Sequence, residues 1–183
     1  NTQITLDSTS KEITYGDSIT LKASVTSDTP QTVTWKSSNT AVATVKDGVV
    51  TATGKGTAKI TASLPNGRSA VCTVKVTTKK LPTSGCSYAS TAQYTGSAII
   101  PTVTVKDGSK VLRQNIDYRV IVTNNVKIGH ANITISGMGN YYGSYSAGFD
   151  IIPAKQTIQK LETRYKGFFV DWAQKGSATG YDI

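Results

Sequence analysis

Histidine, cysteine, methionine and proline are scarce in this chain of 183 residues, which contains 1 His, 2 Cys, 1 Met and 5 Pro. Nucleophilic catalysis needs a Ser, Cys or Thr activated by a base that a third group holds in place, and one histidine allows no credible triad. The 11 acidic residues mostly fall at turns, and no loop carries the several acids that calcium requires. We therefore expect no catalytic residues, no metal site and no cofactor.

Long apolar runs are also missing from the chain. No stretch approaches the roughly 20 apolar residues that a membrane-spanning helix needs, and no basic-then-apolar leader opens the sequence. We expect any export signal and wall anchor to lie outside this fragment. The sequence therefore predicts no membrane span within these residues.

Positive charge exceeds negative charge, with a net charge of +9. The excess is spread thinly, at +5 for residues 1–80, +2 for 81–153 and +2 for 154–183. Nucleic-acid binders usually concentrate Lys and Arg on one face or helix, with aromatic residues placed for stacking. We expect no nucleic-acid partner; the alternatives are a solvated basic surface and weak attraction to anionic wall polymers or membrane surfaces.

The two cysteines permit one disulfide. In the run from Val71 to Val76, period-two alternation places Cys72, Val74 and Val76 on one apolar face. We therefore expect Cys72 to be a buried free thiol, since free cysteines often behave as small hydrophobic residues. A bridge to Cys86 is the alternative.

Threonine, serine, valine, isoleucine and tyrosine are plentiful, and short alternating runs recur every eight to twelve residues between turn signals. This pattern is typical of all-β sandwiches. Asp47-Gly48 and Asn66-Gly67 predict two-residue hairpin turns, which need positive φ angles. The segment 79–85, with its Pro82 and small polar residues, predicts a junction between domains.

The run Val33-Thr34-Trp35-Lys36-Ser37-Ser38-Asn39-Thr40-Ala41-Val42-Ala43-Thr44-Val45 combines a tryptophan strand, a Ser-Ser-Asn corner and an Ala-Val-Ala strand. With the following segments 47–52 and 54–62, it resembles the bacterial immunoglobulin-like (Ig-like) domain of group two. The resemblance implies an Ig-like β-sandwich over residues 1–80. Trp35 is expected in its core, touching both sheets.

Residues 81–153 show three further apolar stripes of period two, which suffice to close a second small sandwich. The stripes are Val103 and Val105; Tyr118, Val120 and Val122; and Ala131, Ile133 and Ile135. The segment resembles a second Ig-like repeat of Gram-positive surface proteins. The predicted fold class is all-β, with tandem Ig-like antiparallel β-sandwiches.

Residues 154–183 contain Val170-Asp171-Trp172 and Gly180-Tyr181-Asp182-Ile183. They resemble the opening of a fibronectin type III domain, which implies a partial, truncated domain. Thirty residues rarely make a core alone. We expect this segment to pack on the second module, to pair edge to edge with another copy of the chain, or to fray.

Candidate ligand-binding residues are confined to the aromatic cluster of the second module. Tyr141, Tyr142 and Tyr145 could line a glycan or peptide groove, but Gly-Asn-Tyr-Tyr-Gly also has the composition of a structural corner. His130 follows Gly129 at a strand start, and we interpret it as a solvated strand-end histidine. Asn132-Ile133-Thr134 matches a glycosylation sequon, which we interpret as a chance match on an outer face.

These observations together predict a non-catalytic segment of a modular, exported protein at the surface of a Gram-positive bacterium, acting as a spacer or stalk or in adhesion. Cell-wall glycans, host glycans and surface proteins are the partners we consider. The alternative is an accessory glycan- or peptide-binding module attached to a hydrolase that acts on cell wall or polysaccharide.

Overall fold

The computed structural model describes residues 2–154, 158–164 and 167–172, and this part of the chain is built from strands, turns and loops without a helix. Accordingly, none of the described residues forms a helix long and apolar enough to cross a membrane. The strands are β1 (Gln3–Leu6), β2 (Ser10–Thr14), β3 (Ser18–Thr20), β4 (Ala23–Thr26), β5 (Thr34–Ser37), β6 (Ala43–Lys46), β7 (Val49–Ala52), β8 (Gly56–Ser63), β9 (Ser69–Thr77), β10 (Lys79–Lys80), β11 (Cys86–Ser87), β12 (Thr91–Gln93), β13 (Thr104–Asp107), β14 (Lys110–Val111), β15 (Tyr118–Thr123), β16 (Gly129–Gly137), β17 (Tyr141–Tyr142), β18 (Ser144–Ile152), β19 (Ile158–Arg164) and β20 (Gly167–Trp172).

The chain divides into two compact units. The first unit comprises Asn1–Leu81 together with Gly137–Gly143, and the second comprises Pro82–Ser136 and the described residues from Ser144 onward. The segment Gly137–Gly143 is therefore part of the first unit, although the sequence pattern places it within residues 81–153. The three predicted domains, 1–80, 81–153 and 154–183, stay a prediction.

The first unit is a sandwich of a four-stranded and a three-stranded sheet, with two further two-stranded sheets, β1-β4 and β10-β17. The four-stranded sheet has the order β2-β9-β8-β5, and the three-stranded sheet has the order β3-β7-β6. Alternate residues of both sheets meet in one buried cluster, as period-two alternation requires. The cluster includes Ile13, Ala43, Val50, Ala58, Ile60, Cys72 and Val74.

The prediction of a buried Cys72 is confirmed, since Cys72 is fully buried and Val74 and Val76 share its inward face. Cys72 and Cys86 are both free thiols. Trp35 is half-buried and packs against two apolar clusters of the first unit. Its indole also approaches Gly48 in the turn of the opposing sheet, so the ring spans the two layers as expected.

Two turns test the hairpin predictions in the first unit. Asp47 and Gly48 have φ angles of 50° and 81° and join Lys46 to its pairing partner Val49, so this two-residue hairpin is confirmed. The prediction for Asn66-Gly67 is wrong in its length. Only Gly67 has a positive φ, and the N–H of Leu64 donates to the carbonyl of Arg68 across a three-residue loop.

The second unit also has a four-stranded and a three-stranded sheet; the four-stranded sheets of the two units share one strand order, whereas the three-stranded sheets do not. Its four-stranded sheet has the order β12-β18-β16-β15, and its three-stranded sheet has the order β11-β13-β14. Most of its buried apolar residues come from the predicted stripes and from β18, and Leu112 follows β14; Val120 and Val122 of the predicted stripes are only half-buried. The buried apolar residues are Val103, Val105, Leu112, Tyr118, Ala131, Ile133, Ile135, Phe149 and Ile151.

Each four-stranded sheet has one parallel pair at its edge. Strand β2 runs parallel to β9 over five residue pairs, and β12 runs parallel to β18 over three. The other pairs within these sheets whose register is defined, β5 with β8, β8 with β9 and β16 with β18, are antiparallel. The all-β sandwich class is confirmed, with parallel edges that alternation alone does not reveal.

The last described strands, β19 and β20, form an antiparallel hairpin that contains Val170-Asp171-Trp172. An ion pair of 2.6 Å joins Lys160 Nζ and Glu162 Oε1 within β19. Residues 180–183, which carry the other part of the fibronectin-like pattern, lie outside the described residues. The fate predicted for 154–183 stays a prediction.

Candidate functional site

Tyr141 lies in the interior of the first unit rather than on its surface. It is only 3% exposed, and its ring meets that of Tyr15 edge to face, with the ring centres 5.5 Å apart. Its strand, β17, pairs in parallel with β10, with Lys79 opposite Tyr141. A buried ring offers no surface to a ligand in this conformation.

Asn140 fixes the segment before Tyr141 at two points. Its side-chain Oδ1 accepts a hydrogen bond of 2.8 Å from the backbone N–H of Lys55, and its carbonyl accepts one of 2.9 Å from the N–H of Lys79. The carbonyl of Tyr142 accepts a third, also 2.9 Å, from the N–H of Leu81. These bonds, with the Tyr15 contact, attach Gly137–Gly143 to the rest of the first unit.

The other two candidate tyrosines differ from Tyr141 and from each other. Tyr142 is 52% exposed and is therefore accessible to solvent. Tyr145 is half-buried in the second unit, and its hydroxyl is buried without a well-formed hydrogen bond. Burial raises the pKa of Tyr145 well above its usual range, and the adjacent Cys86 thiol raises it further. A binding role for Tyr142 and Tyr145 stays a prediction.

His130 has a partner that the local sequence does not show. Its Nδ1 lies 2.7 Å from Oδ1 of Asp150, and both side chains are about 60% exposed. The two residues are directly opposite in the β16–β18 ladder. The sequence could have revealed this pair if β16 and β18 had been aligned as a hairpin centred on Asn140, because that register places positions 130 and 150 opposite each other.

The His130–Asp150 pair does not have the order that nucleophilic catalysis needs. In the sheet, Asp150 on β18 lies between His130 on β16 and Thr91 on β12, so the carboxylate separates the imidazole from the Thr91 hydroxyl. A catalytic imidazole must instead lie between the nucleophile and the acid. The second ring nitrogen of His130 faces the backbone of Gly148, where a Cβ would collide with the ring. The histidine therefore covers a glycine of the sheet.

A shallow groove adjoins His130. It has a volume of about 440 Å³ and is lined by residues 124–130, all from the loop between β15 and β16 and the start of β16. Val126 and Ile128 in this loop are each more than 40% exposed. Because one continuous segment, residues 124–130, supplies the whole lining, the groove brings no side chains together that are distant in sequence.

Asp117 is the buried charged residue of the second unit and has a structural partner. Its Oδ2 accepts hydrogen bonds of 2.9 Å from the backbone N–H of Arg113 and 3.2 Å from Arg113 Nε. Burial alone would raise the pKa of Asp117, but the bonds and charge of Arg113, aided by the charge of Lys110, lower the pKa below its ordinary value. The neighbouring Tyr118 donates a 2.7 Å bond to the carbonyl of Val103. Both side chains fasten the loop before β15.

No group of three or more potential metal ligands comes together within the described ranges. The described residues instead form closed β-sandwiches of the Ig-like class, with ionisable pairs such as Lys75–Glu12 and His130–Asp150 on their outer faces. Residues 1–74 match the family model for the bacterial Ig-like domain (group 2). This match confirms the predicted resemblance of the first module to that family.

One curated relative is an enzyme. A stretch of 51 residues is 57% identical to part of lacto-N-biosidase from Bifidobacterium bifidum. The matched stretch covers 27% of this chain and 5% of the enzyme. The chain thus corresponds to a small part of that relative.

Two solved structures show distant likeness. The adhesin InvE of Yersinia pseudotuberculosis is 13% identical, with a TM-score of 0.37, over 87% of this chain and 66% of the adhesin chain. The titin domains Z1Z2, solved in complex with telethonin, are 12% identical, with a TM-score of 0.28, over 83% of this chain and 98% of the titin chain. These TM-scores are too low to carry an argument about this chain.

Proposed function

We propose that this chain is a non-catalytic modular segment of an exported bacterial surface protein, serving as a spacer or taking part in adhesion. The family match over residues 1–74 is the observation that carries the proposal. The large apolar side chains of the first unit support it, because they pack into its own core and leave only scattered exposed residues. Location outside the cell of a Gram-positive organism is part of the same proposal.

The ionisable groups support a role without catalysis. His130 and Asp150 are exposed, and the Asp150 carboxylate lies between the imidazole and Thr91. The buried carboxylate of Asp117 accepts a hydrogen bond from the backbone of Arg113. A charge that is buried and hydrogen-bonded in a loop stabilises that loop, whereas a catalytic acid must face a cleft that admits substrate.

A second candidate is an accessory module of a carbohydrate-active hydrolase, which the similarity to lacto-N-biosidase favours. In that case the chain would bind glycan, and Tyr142 is the exposed candidate aromatic residue. Aromatic side chains with one polar end suit such interfaces.

A glycan array probed with the whole chain separates the two candidates. The spacer proposal predicts no binding to neutral glycans at micromolar concentrations. Micromolar binding that is lost in Tyr142→Ala and retained in Tyr94→Ala would refute the pure spacer and support the accessory module. Micromolar binding unaffected by Tyr142→Ala would refute the spacer and remove Tyr142 from the candidate site.

A further inference from the structure

Three exposed lysines form a diagonal row on the outer face of the first unit's four-stranded sheet. Lys36 on β5 lies opposite Thr61 on β8, and Lys59 lies two residues from Thr61 on that strand. Lys59 in turn lies opposite Thr73 on β9, two residues before Lys75. From Lys36 to Lys59 and from Lys59 to Lys75, the row moves to the adjacent strand and shifts by two residues along the strand direction. Such diagonal neighbours lie about 7–8 Å apart, so the row spans about 15 Å.

The surroundings of the row are flat and rich in hydroxyl groups. The intervening residues of β8 and β9 point inward and are fully or almost fully buried, so the lysines and their hydroxyl neighbours make up most of the outer surface, together with the 42% exposed side chain of Val71 on β9. Those neighbours are Ser10, Thr34, Thr57, Thr61, Thr73 and Thr77. Among the strand residues of this face, the acidic side chain is Glu12, which lies 2.9 Å from Lys75 Nζ.

We propose that this lysine row binds a linear polymer whose repeating unit carries a phosphodiester group, with the polymer lying along the diagonal. Charge complementarity identifies the occupant, because three evenly spaced ammonium groups match a chain that presents one negative charge per repeat. The hydroxyl side chains suit a polyol backbone. The strand residues of this face include no aromatic side chain on which a nucleic-acid base could stack.

The binding is expected to be weak and sensitive to salt. Exposed charge pairs contribute little individually and are screened at physiological ionic strength. Several such pairs acting on one polymer release several counterions, so affinity should fall steeply as salt rises. The spacer role is tested with neutral glycans, whereas the lysine row is tested with a charged polymer. The two proposals can therefore fail independently of each other.

The test uses the whole chain and poly(glycerol phosphate) of about ten units as the probe, with neutral dextran for comparison. The row variant carries Lys36→Gln, Lys59→Gln and Lys75→Gln. A matched control carries Lys22→Gln and Lys46→Gln, both in the first unit, and Lys127→Gln in the second, which changes net charge equally at exposed positions off the row.

We expect the row variant to raise the dissociation constant about tenfold and to flatten the slope of log affinity against log salt by about two, since each phosphate contact contributes about 0.7–0.9. The control should stay within about twofold of the unmodified chain. Equal losses in both variants, or equal binding of dextran, would overturn the proposal. Tighter binding to a single-stranded DNA oligomer of equal charge would also overturn it, in favour of nucleic acid.

Glu12 provides a second, independent measurement with the opposite sign. Glu12→Gln removes the carboxylate that competes for Lys75, so affinity for the probe should rise by about threefold. Asp28→Asn makes the same change in net charge at an exposed loop position of this unit and should leave affinity nearly unchanged. An equal gain in both variants would show that overall charge, not the row, governs binding.

Discussion

Replacing Asp117 by asparagine should destabilise the second unit by about 1 kcal/mol, because a hydrogen bond to a charged group contributes about 1.5–3 kcal/mol and one between neutral groups about 0.5–1.5 kcal/mol. Two bonds reach the carboxylate, from the N–H and the Nε of Arg113. The guanidinium side chain is 66% exposed, so solvent screens its share. Most of the loss therefore comes from the backbone bond, which an asparagine oxygen accepts more weakly than a carboxylate does.

The same carboxylate makes stability depend on pH in a defined direction. The folded-state pKa of Asp117 lies below its ordinary value of 3.8, so the unfolded chain takes up this proton at a higher pH than the folded chain. The stabilisation is fully present above 3.8 and is lost as pH falls through the lower folded-state pKa. In Asp117→Asn this part of the acid sensitivity should disappear.

Amide hydrogen exchange of β15 and β16 measures the second unit separately from the first. We expect faster exchange of these strands in Asp117→Asn at neutral pH, with a smaller difference from the unmodified chain at pH 3. Asp150→Asn, which removes a 61% exposed carboxylate of the same unit, is the matched control and should change exchange little. Unchanged protection in Asp117→Asn, or an identical loss in the control, would refute the reasoning.

Three further changes test packing, and denaturant unfolding of the whole chain measures each of them. Gly48→Ala should lower the free energy of unfolding by at least about 1 kcal/mol, because φ is positive there and a Cβ would collide with the Leu21 carbonyl. In the control Gly67→Ala the new Cβ meets no neighbour, so the loss should be smaller, and equal losses would contradict this. Tyr141→Ala should lower the free energy of unfolding by up to about 3 kcal/mol, since it removes a buried ring and an edge-to-face pair. Tyr142→Ala removes an exposed ring and should lower it by under about 1 kcal/mol; the reverse order would show that Tyr141 does not hold Gly137–Gly143 in place. Tyr145→Phe should be neutral or stabilising within about 1 kcal/mol, because it deletes a buried hydroxyl without a well-formed bond, and a clear loss would reveal a strong bond to that hydroxyl.

Residues whose environment depends on their own strand were predictable from the sequence. Alternation alone placed Cys72, Val74 and Val76 inside, and the same rule placed Ala131, Ile133 and Ile135 inside. The positive φ angles of Asp47 and Gly48 followed from the residue types that a two-residue hairpin requires.

Features that depend on distant partners were not predictable in this way. Tyr141 is buried because Tyr15, far away in sequence, lies against it, and nothing in the local pattern distinguishes it from the exposed Tyr142. His130 and Asp150 meet only when the hairpin register is known. Asn66-Gly67 does lie in a turn, as its residue types predict, but Leu64 pairs with Arg68, so the loop has three residues instead of two.

The parallel edges of the two sheets have a mechanical consequence. In the first unit β2 lies near the start of the module and β9 near its end, and five residue pairs join them in parallel register. Tension applied to the two ends of that module would pull these strands in opposite directions along their length, loading their hydrogen bonds in shear so that several must break together. The second unit has three such pairs, so its edge should yield to a lower force.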